Sequence, residues 1–235
     1  MKKPYIIIVL IFIVSNAWAQ RMTRELSSFR DIDIFGPFEV TLVKSDKEKA
    51  EIDFRGIDKE DVIVDAEKGV LKLKIKNRHY IDDWKNDRQH HKYILVTVYY
   101  TDIDMIEASA GAVVTTDGTL KSKYLSVDCT MGAEVTLDIF TEKAELISNM
   151  GAVLEVTGQT NHIEVNANMG GVLKAAHLES KTAYVKANMG ADVTVNVMEE
   201  LEASAGFGAQ VEYIGGPSVR HTSKNFGGEV NRRGN

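Results

Sequence analysis

Methionine recurs at nearly even intervals in the second half of the chain, at Met131, Met150, Met169 and Met189, each time directly before a glycine. A thioether is unbranched and polarizable, so such a file either fills gaps in a core or, if exposed, offers an adaptable apolar contact. Alternation along a strand places it inside. Asn149, Asn168 and Asn188 precede three of these methionines, and stacked amides can bond along a repeat axis or donate to a ligand. Glu107 and Asp128 are the pair of acids that occupy the same repeat position in successive copies. Carboxylates on neighbouring turns of chain are what a cation site or acid–base attack on a glycosidic bond would need, although a solvated face explains a single pair more simply. The polar stretch 77–92 carries Asp82, Asp83, Asp87, His90 and His91, which are metal-ligand types, and Trp84, which could stack on a sugar. Adjacent histidines on an extended chain point to opposite faces and do not chelate together. Phosphate loops, Ser-His-Asp arrangements and the calcium-binding Gly-Gly-x-Gly-x-Asp repeat are absent from the sequence. No catalytic, cofactor-binding or metal-ligating residue is therefore assigned, and no cofactor is expected.

These residues belong to a repeat. From residue 100 onward one phrase returns: ASAGAVV, CTMGAEV, SNMGAVL, ANMGGVL, ANMGADV, SAGFGAQV and KNFGGEV. Its glycines, Gly111, Gly132, Gly151, Gly170, Gly190, Gly208 and Gly227, are spaced 21, 19, 19, 20, 18 and 19 residues apart. Around the first five of these glycines the odd offsets are small or apolar, as in Val127, Cys129, Ala133 and Val135, and most even offsets are polar, as in Thr130 and Thr136. Period two is the signature of a half-buried strand. The glycine between two such strands marks a bend. The sequence thus predicts an all-β, single-domain parallel β-helix with rungs of about 20 residues, each burying its apolar row against its neighbours. An antiparallel sandwich also spaces strands evenly, but it gives no reason for like residues to recur in columns.

Residues 20–100 repeat less visibly and read as an irregular amino-terminal β part, residues 101–230 as the regular repeats and 231–235 as a polar tail. Ile32 and Ile34 alternate before Gly36-Pro37, and Phe38, Val40 and Leu42 after it. Gly36-Pro37-Phe38-Glu39-Val40 looks like the later phrase with one residue inserted. This part is expected to cover one end of the rod.

Residues 1–19 read as a cleavable export signal: Lys2 and Lys3, an apolar stretch from Tyr5 to Val14, and Ala17-Trp18-Ala19 before Gln20. That apolar run is short of the roughly 20 residues a spanning helix needs, so no stable membrane span is expected after cleavage. The chain carries 28 basic and 34 acidic residues, a net charge of −6, which disfavours nucleic acid as a partner. Cys129 is the one cysteine, so an intrachain disulfide is excluded and stability must come from burial. Its inward repeat position predicts an inert thiol.

An exported chain with a strand-Gly-strand opening (Ile32, Ile34, Gly36, Phe38, Val40), a strand after Gly69, a long strand ending near Ile103 and then serial Gly-Ala-x-Val phrases resembles the auto-transporter adhesin head GIN domain family. The resemblance covers nearly the whole chain after the signal. It implies a β-helical fold and an envelope location, periplasmic or at the cell surface, and it supplies no catalytic residues. The segment Lys44-Ser45-Asp46-Lys47 departs from the pattern by lacking a glycine. The expected function is a non-enzymatic envelope module that binds a glycan or a surface protein. A carbohydrate-active β-helix enzyme is the competing reading, which three carboxylates gathered on one face would favour.

Overall fold

The computed structural model describes residues 21–55, 57–76 and 93–234. The expected signal segment and the candidate residues Asp82, Asp83, Trp84, Asp87, His90 and His91 lie outside the described residues. The strands are β1 (Arg21–Glu25), β2 (Phe29–Phe35), β3 (Phe38–Lys44), β4 (Lys49–Asp53), β5 (Val62–Glu67), β6 (Gly69–Ile75), β7 (Ile94–Tyr100), β8 (Met105–Ser109) and β9 (Val113–Asp117). They continue with β10 (Leu120–Cys129), β11 (Glu134–Asn149), β12 (Val153–Asn168), β13 (Val172–Ala187), β14 (Asp192–Gly206), β15 (Gln210–Ile214), β16 (Val219–Asn225) and β17 (Glu229–Arg232).

The fold is the expected parallel β-solenoid, of about 7 turns with rungs about 19 residues apart. From β8–β9 onward each strand pairs in parallel with its counterpart one repeat later, so that Val127 lies between Ile106 and Leu146, and Leu154 between Val135 and Leu173. The odd-offset columns are buried, from Ile106 and Ala108 to Ala191 and Val193, with the exception of the residue directly before each glycine. They form one continuous core, because an aliphatic or small side chain on one rung meets the same kind of side chain above and below it.

The amino-terminal part contributes two rungs, and their order in space differs from their order in sequence. β2 pairs on one side with β6 and on the other with β8, while β3 pairs with β7 and β9. The first rung made by the chain is thus enclosed by two made later. Phe29, Ile32, Ile34, Phe38 and Leu42 are among the largest fully buried side chains of the protein. Beyond β6–β7 the pairing turns antiparallel: β5 lies on β6, β4 on β7, and β1 on β4. These short strands cover the end of the parallel stack, as expected of the amino-terminal part.

Register also corrects the inserted-residue reading of Gly36-Pro37. Phe35 pairs with Ser109 and Glu39 with Val113, so the two bends are equally long and nothing is inserted. The glycine has moved one place earlier, to Gly36 opposite Ala110, and takes a φ of 112° where Ala110 has 56°.

The corner opposite the glycine bend has a different construction. β11, β12 and β13 each run unbroken for 16 residues through it, so Thr157–Asn161 is a bend within a strand. Three hydroxyls point inward at this corner, on Thr141, Thr160 and Ser180. Thr141 Oγ1 donates to Thr160 Oγ1 at 3.0 Å and Ser180 Oγ to the Asn196 carbonyl at 2.8 Å, so the buried oxygens are partnered. Where β12 passes through it, the register against β13 slips between Glu155 and Gly158.

Cys129 is buried in its predicted column, with Sγ against the Ala133 carbonyl at 3.3 Å. Burial first, then the charge of Asp128, pushes the thiol up to about 12. The thiolate is the reactive form, and a rise of this size lowers its population at neutral pH about a thousandfold. Cys129 is therefore expected to resist Ellman's reagent in the folded protein and to react fully once the chain is unfolded. Stoichiometric labelling of the native state would contradict this.

Candidate turn-ridge binding site

Each glycine bend is a two-residue turn. The pairs Ala110-Gly111, Met131-Gly132, Met150-Gly151, Met169-Gly170, Met189-Gly190, Phe207-Gly208 and Phe226-Gly227 all have positive φ at both positions, 46° to 56° at the first and 70° to 78° at the glycine. The residue after each pair donates its N–H back to the carbonyl before it, as Ala133 does to Thr130 and Ala152 to Asn149, both at 3.2 Å. These are the dihedral signs and closing bond of a type I′ turn. The turns are also bonded to each other. Gly132 N–H donates to the Met150 carbonyl and Gly151 N–H to the Met169 carbonyl, both at 3.2 Å, and Gly190 N–H to Phe207 at 3.1 Å.

This geometry overturns the inward placement of the methionines. Alternation holds along an extended strand, but two successive left-handed residues lie outside that pattern, and both project from the bend. Met131, Met150, Met169 and Met189 are 45% to 57% exposed, and the file continues into Phe207 and Phe226, 57% and 79% exposed. The last two rings are stacked, with centroids 4.8 Å apart and planes 15° from parallel. Six large apolar side chains thus stand in line over about 24 Å, taking about 4.8 Å per rung.

Backbone preference does not explain that ridge. The first position of such a turn favours Asn, Asp or Gly, and the left-handed conformation costs other residues roughly 1 kcal/mol or more. The chain places methionine there four times and phenylalanine twice. An aligned apolar file, unlike single exposed side chains, is the mark of an interaction surface.

The asparagines flanking the ridge are half-buried and do not form a ladder along the axis. Asn168 Nδ2 donates to Asn166 Oδ1 at 2.7 Å within its own strand, and Asn149 Oδ1 is buried without a partner. Glu107 and Asp128 are register partners as expected, and they gain a third acid that sequence reasoning missed: Asp33 pairs with Glu107 from the other side. It was hidden because β2 neighbours β8 in space while lying far from it in sequence. Burial, reinforced by Asp33 and Asp128, raises the Glu107 carboxyl above its usual range, and burial with Glu145 nearby raises Asp128. Lys74 Nζ neutralises Asp33 at 2.6 Å. Among the described residues no three His, Cys, Asp or Glu side chains converge to hold a metal ion.

A family model described as putative auto-transporter adhesin, head GIN domain, matches residues 28–217. Comparison with curated proteins finds no match. Among solved structures, a putative adhesin from Bacteroides fragilis is similar with a TM-score of 0.78 at 16% identity, over 91% of this chain and 96% of that one. A putative adhesin from Parabacteroides merdae gives 0.69 at 15% identity, covering 91% and 95%. A putative lipid binding protein from Parabacteroides distasonis gives 0.67 at 17% identity, covering 91% and 97%. At these identities the likeness is one of fold.

Proposed function

Because the chain belongs to the putative auto-transporter adhesin head GIN domain family, we propose that it is a non-catalytic, exported envelope module that binds a surface protein along its turn ridge. The reading takes residues 1–19 as a removable signal and 20–235 as one β-helical domain, and among the described residues no helix is long and apolar enough to cross a membrane. The observation that carries it is the line of exposed Met131, Met150, Met169, Met189, Phe207 and Phe226 at positions where the backbone itself favours other residues. Rigid turns fix the spacing, and flexible thioethers let the contact adapt to an uneven partner.

The test is saturable binding of the intact protein to envelope preparations of its own host. Replacing Met131, Met150, Met169 and Met189 together by glutamine is expected to weaken binding at least about tenfold while leaving the melting temperature unchanged, since these side chains are not part of the buried cluster. Protease treatment of the envelope is expected to abolish it. Binding that survives both changes would overturn the reading. The file Asp33, Glu107, Asp128 is the one observation that favours a carbohydrate-active enzyme, and new reducing or unsaturated ends released from a polysaccharide panel would establish that alternative.

A further inference from the structure

We propose a second binding site, at the corner opposite the turn ridge, that takes an acidic polysaccharide: a sugar chain bearing carboxylate or sulfate groups. A groove of about 830 Å³ opens there between Arg30 and Lys181, across the strand bends of β10, β11, β12 and β13. Its size suits a ligand of a few sugar units.

Two aromatic rings stand in it with no core to fill. Phe140 is 54% exposed and Tyr124 is 41% exposed. The Tyr124 hydroxyl donates to Glu145 Oε2 at 2.7 Å, which fixes its ring in place. Phe140 lies in register between Lys121 on one rung and Gln159 on the next. A ring flanked by a cation and an amide can cover the apolar face of a sugar while neighbouring groups take its hydroxyl and acidic substituents.

Charge selects the class of sugar. The chain as a whole is acidic, with a net charge of −6. Yet Lys121, Lys123 and Lys181 line this groove and take part in none of the ion pairs among the described residues. Two of the three acids in the groove are already engaged: Asp104 by Arg30 Nη2 at 2.9 Å, and Asp102 by Lys44 Nζ at 3.4 Å. Glu142 is the remaining one, against three uncommitted lysines. Lys123 and Lys181 are three rungs apart in one outward column, with Glu142 and Asn161 between them. At about 4.8 Å per rung they span about 14 Å, the reach of a short oligosaccharide and not of a single ion. This site shares no residue with the turn ridge and stands independently of the function proposed above.

Affinity electrophoresis of the intact protein tests the site, with polygalacturonate and dextran sulfate as the carboxylated and sulfated probes, dextran as the neutral one and polyphosphate as an anion without sugar. Retardation by at least one acidic polysaccharide and none by dextran is expected. F140A and the double variant K123A/K181A should each weaken it at least tenfold, with unchanged circular dichroism melting, whereas M150Q on the ridge should bind as the parent does. Retardation by neither acidic probe would overturn the proposal. So would equal retardation by dextran, or polyphosphate binding as strong as that of the polysaccharides and unaffected by F140A, since sugar stacking would then play no part.

Discussion

Gly158→Val is expected to destabilise the protein by about 3 kcal/mol or more, enough to lower its melting temperature by roughly 10 °C. Two costs add at this position. Its φ of 109° is one that side chains rarely adopt, and a β-carbon there would meet the Ile139 carbonyl oxygen at 2.1 Å. That oxygen belongs to the backbone of the neighbouring rung, so relief would require the stack itself to open at the corner. Gly151→Val is the control. Its φ is 70° and a β-carbon would meet nothing within 4 Å, so it carries strain alone, a little over about 1 kcal/mol. Thermal melts of the two variants side by side check the ranking. Equal losses would show that close backbone approach at Gly158 contributes nothing beyond its dihedral.

The second large effect concerns which end of the chain the fold can spare. A chain starting at Ser45 lacks β1, β2 and β3, and it is expected to lose cooperative folding altogether. The missing rung is an internal one, and without it β6 and β8, and β7 and β9, have no shared partner. Phe29, Ile32, Ile34, Phe38, Val40 and Leu42, all essentially inaccessible to solvent, would leave a void through the stack. A chain ending at Pro217 lacks β16 and β17, which pair only with strands of the rung immediately before them. In a stack coupled by nearest neighbours this loss should lower the melting temperature modestly and leave the other strands in place. Circular dichroism and amide exchange of both truncations read the difference. A folded amino-terminal truncation would refute the rung order.

That asymmetry marks where sequence reading stops. From residue 108 onward, columns such as Val127, Leu146 and Val165 could be placed in the core by alternation alone, because each rung repeats the last with a near-constant offset. Rung order at the amino terminus is a matter of long-range pairing, and no local pattern says that β2 will lie between β6 and β8. Asp33 joined Glu107 and Asp128 unseen for this reason. The methionines depart from alternation for a different one. Alternation would hold at Met131-Gly132 only if the strand ran on, whereas both residues are left-handed there. The signal available was the dipeptide itself: a residue-glycine pair at every rung is the pattern of a two-residue turn, whose side chains face out. The groove at Phe140 is not legible in the sequence because it lies at the corner away from the glycine phrase, where an outward column changes residue type from rung to rung, as from Lys121 to Phe140 to Gln159.

The bonds that join successive turns, from Gly132 to Met150 and from Gly151 to Met169, run along the rod, as do those of every parallel strand pair. A load applied between the two ends of the molecule therefore falls on one layer at a time and not on all of them together. Layers would part in sequence from the loaded end, each paying out about 19 residues, or roughly 65 Å of slack, before the next bears tension. Pulled by its two chain ends, such a rod yields in steps and lengthens many-fold before the last layer parts.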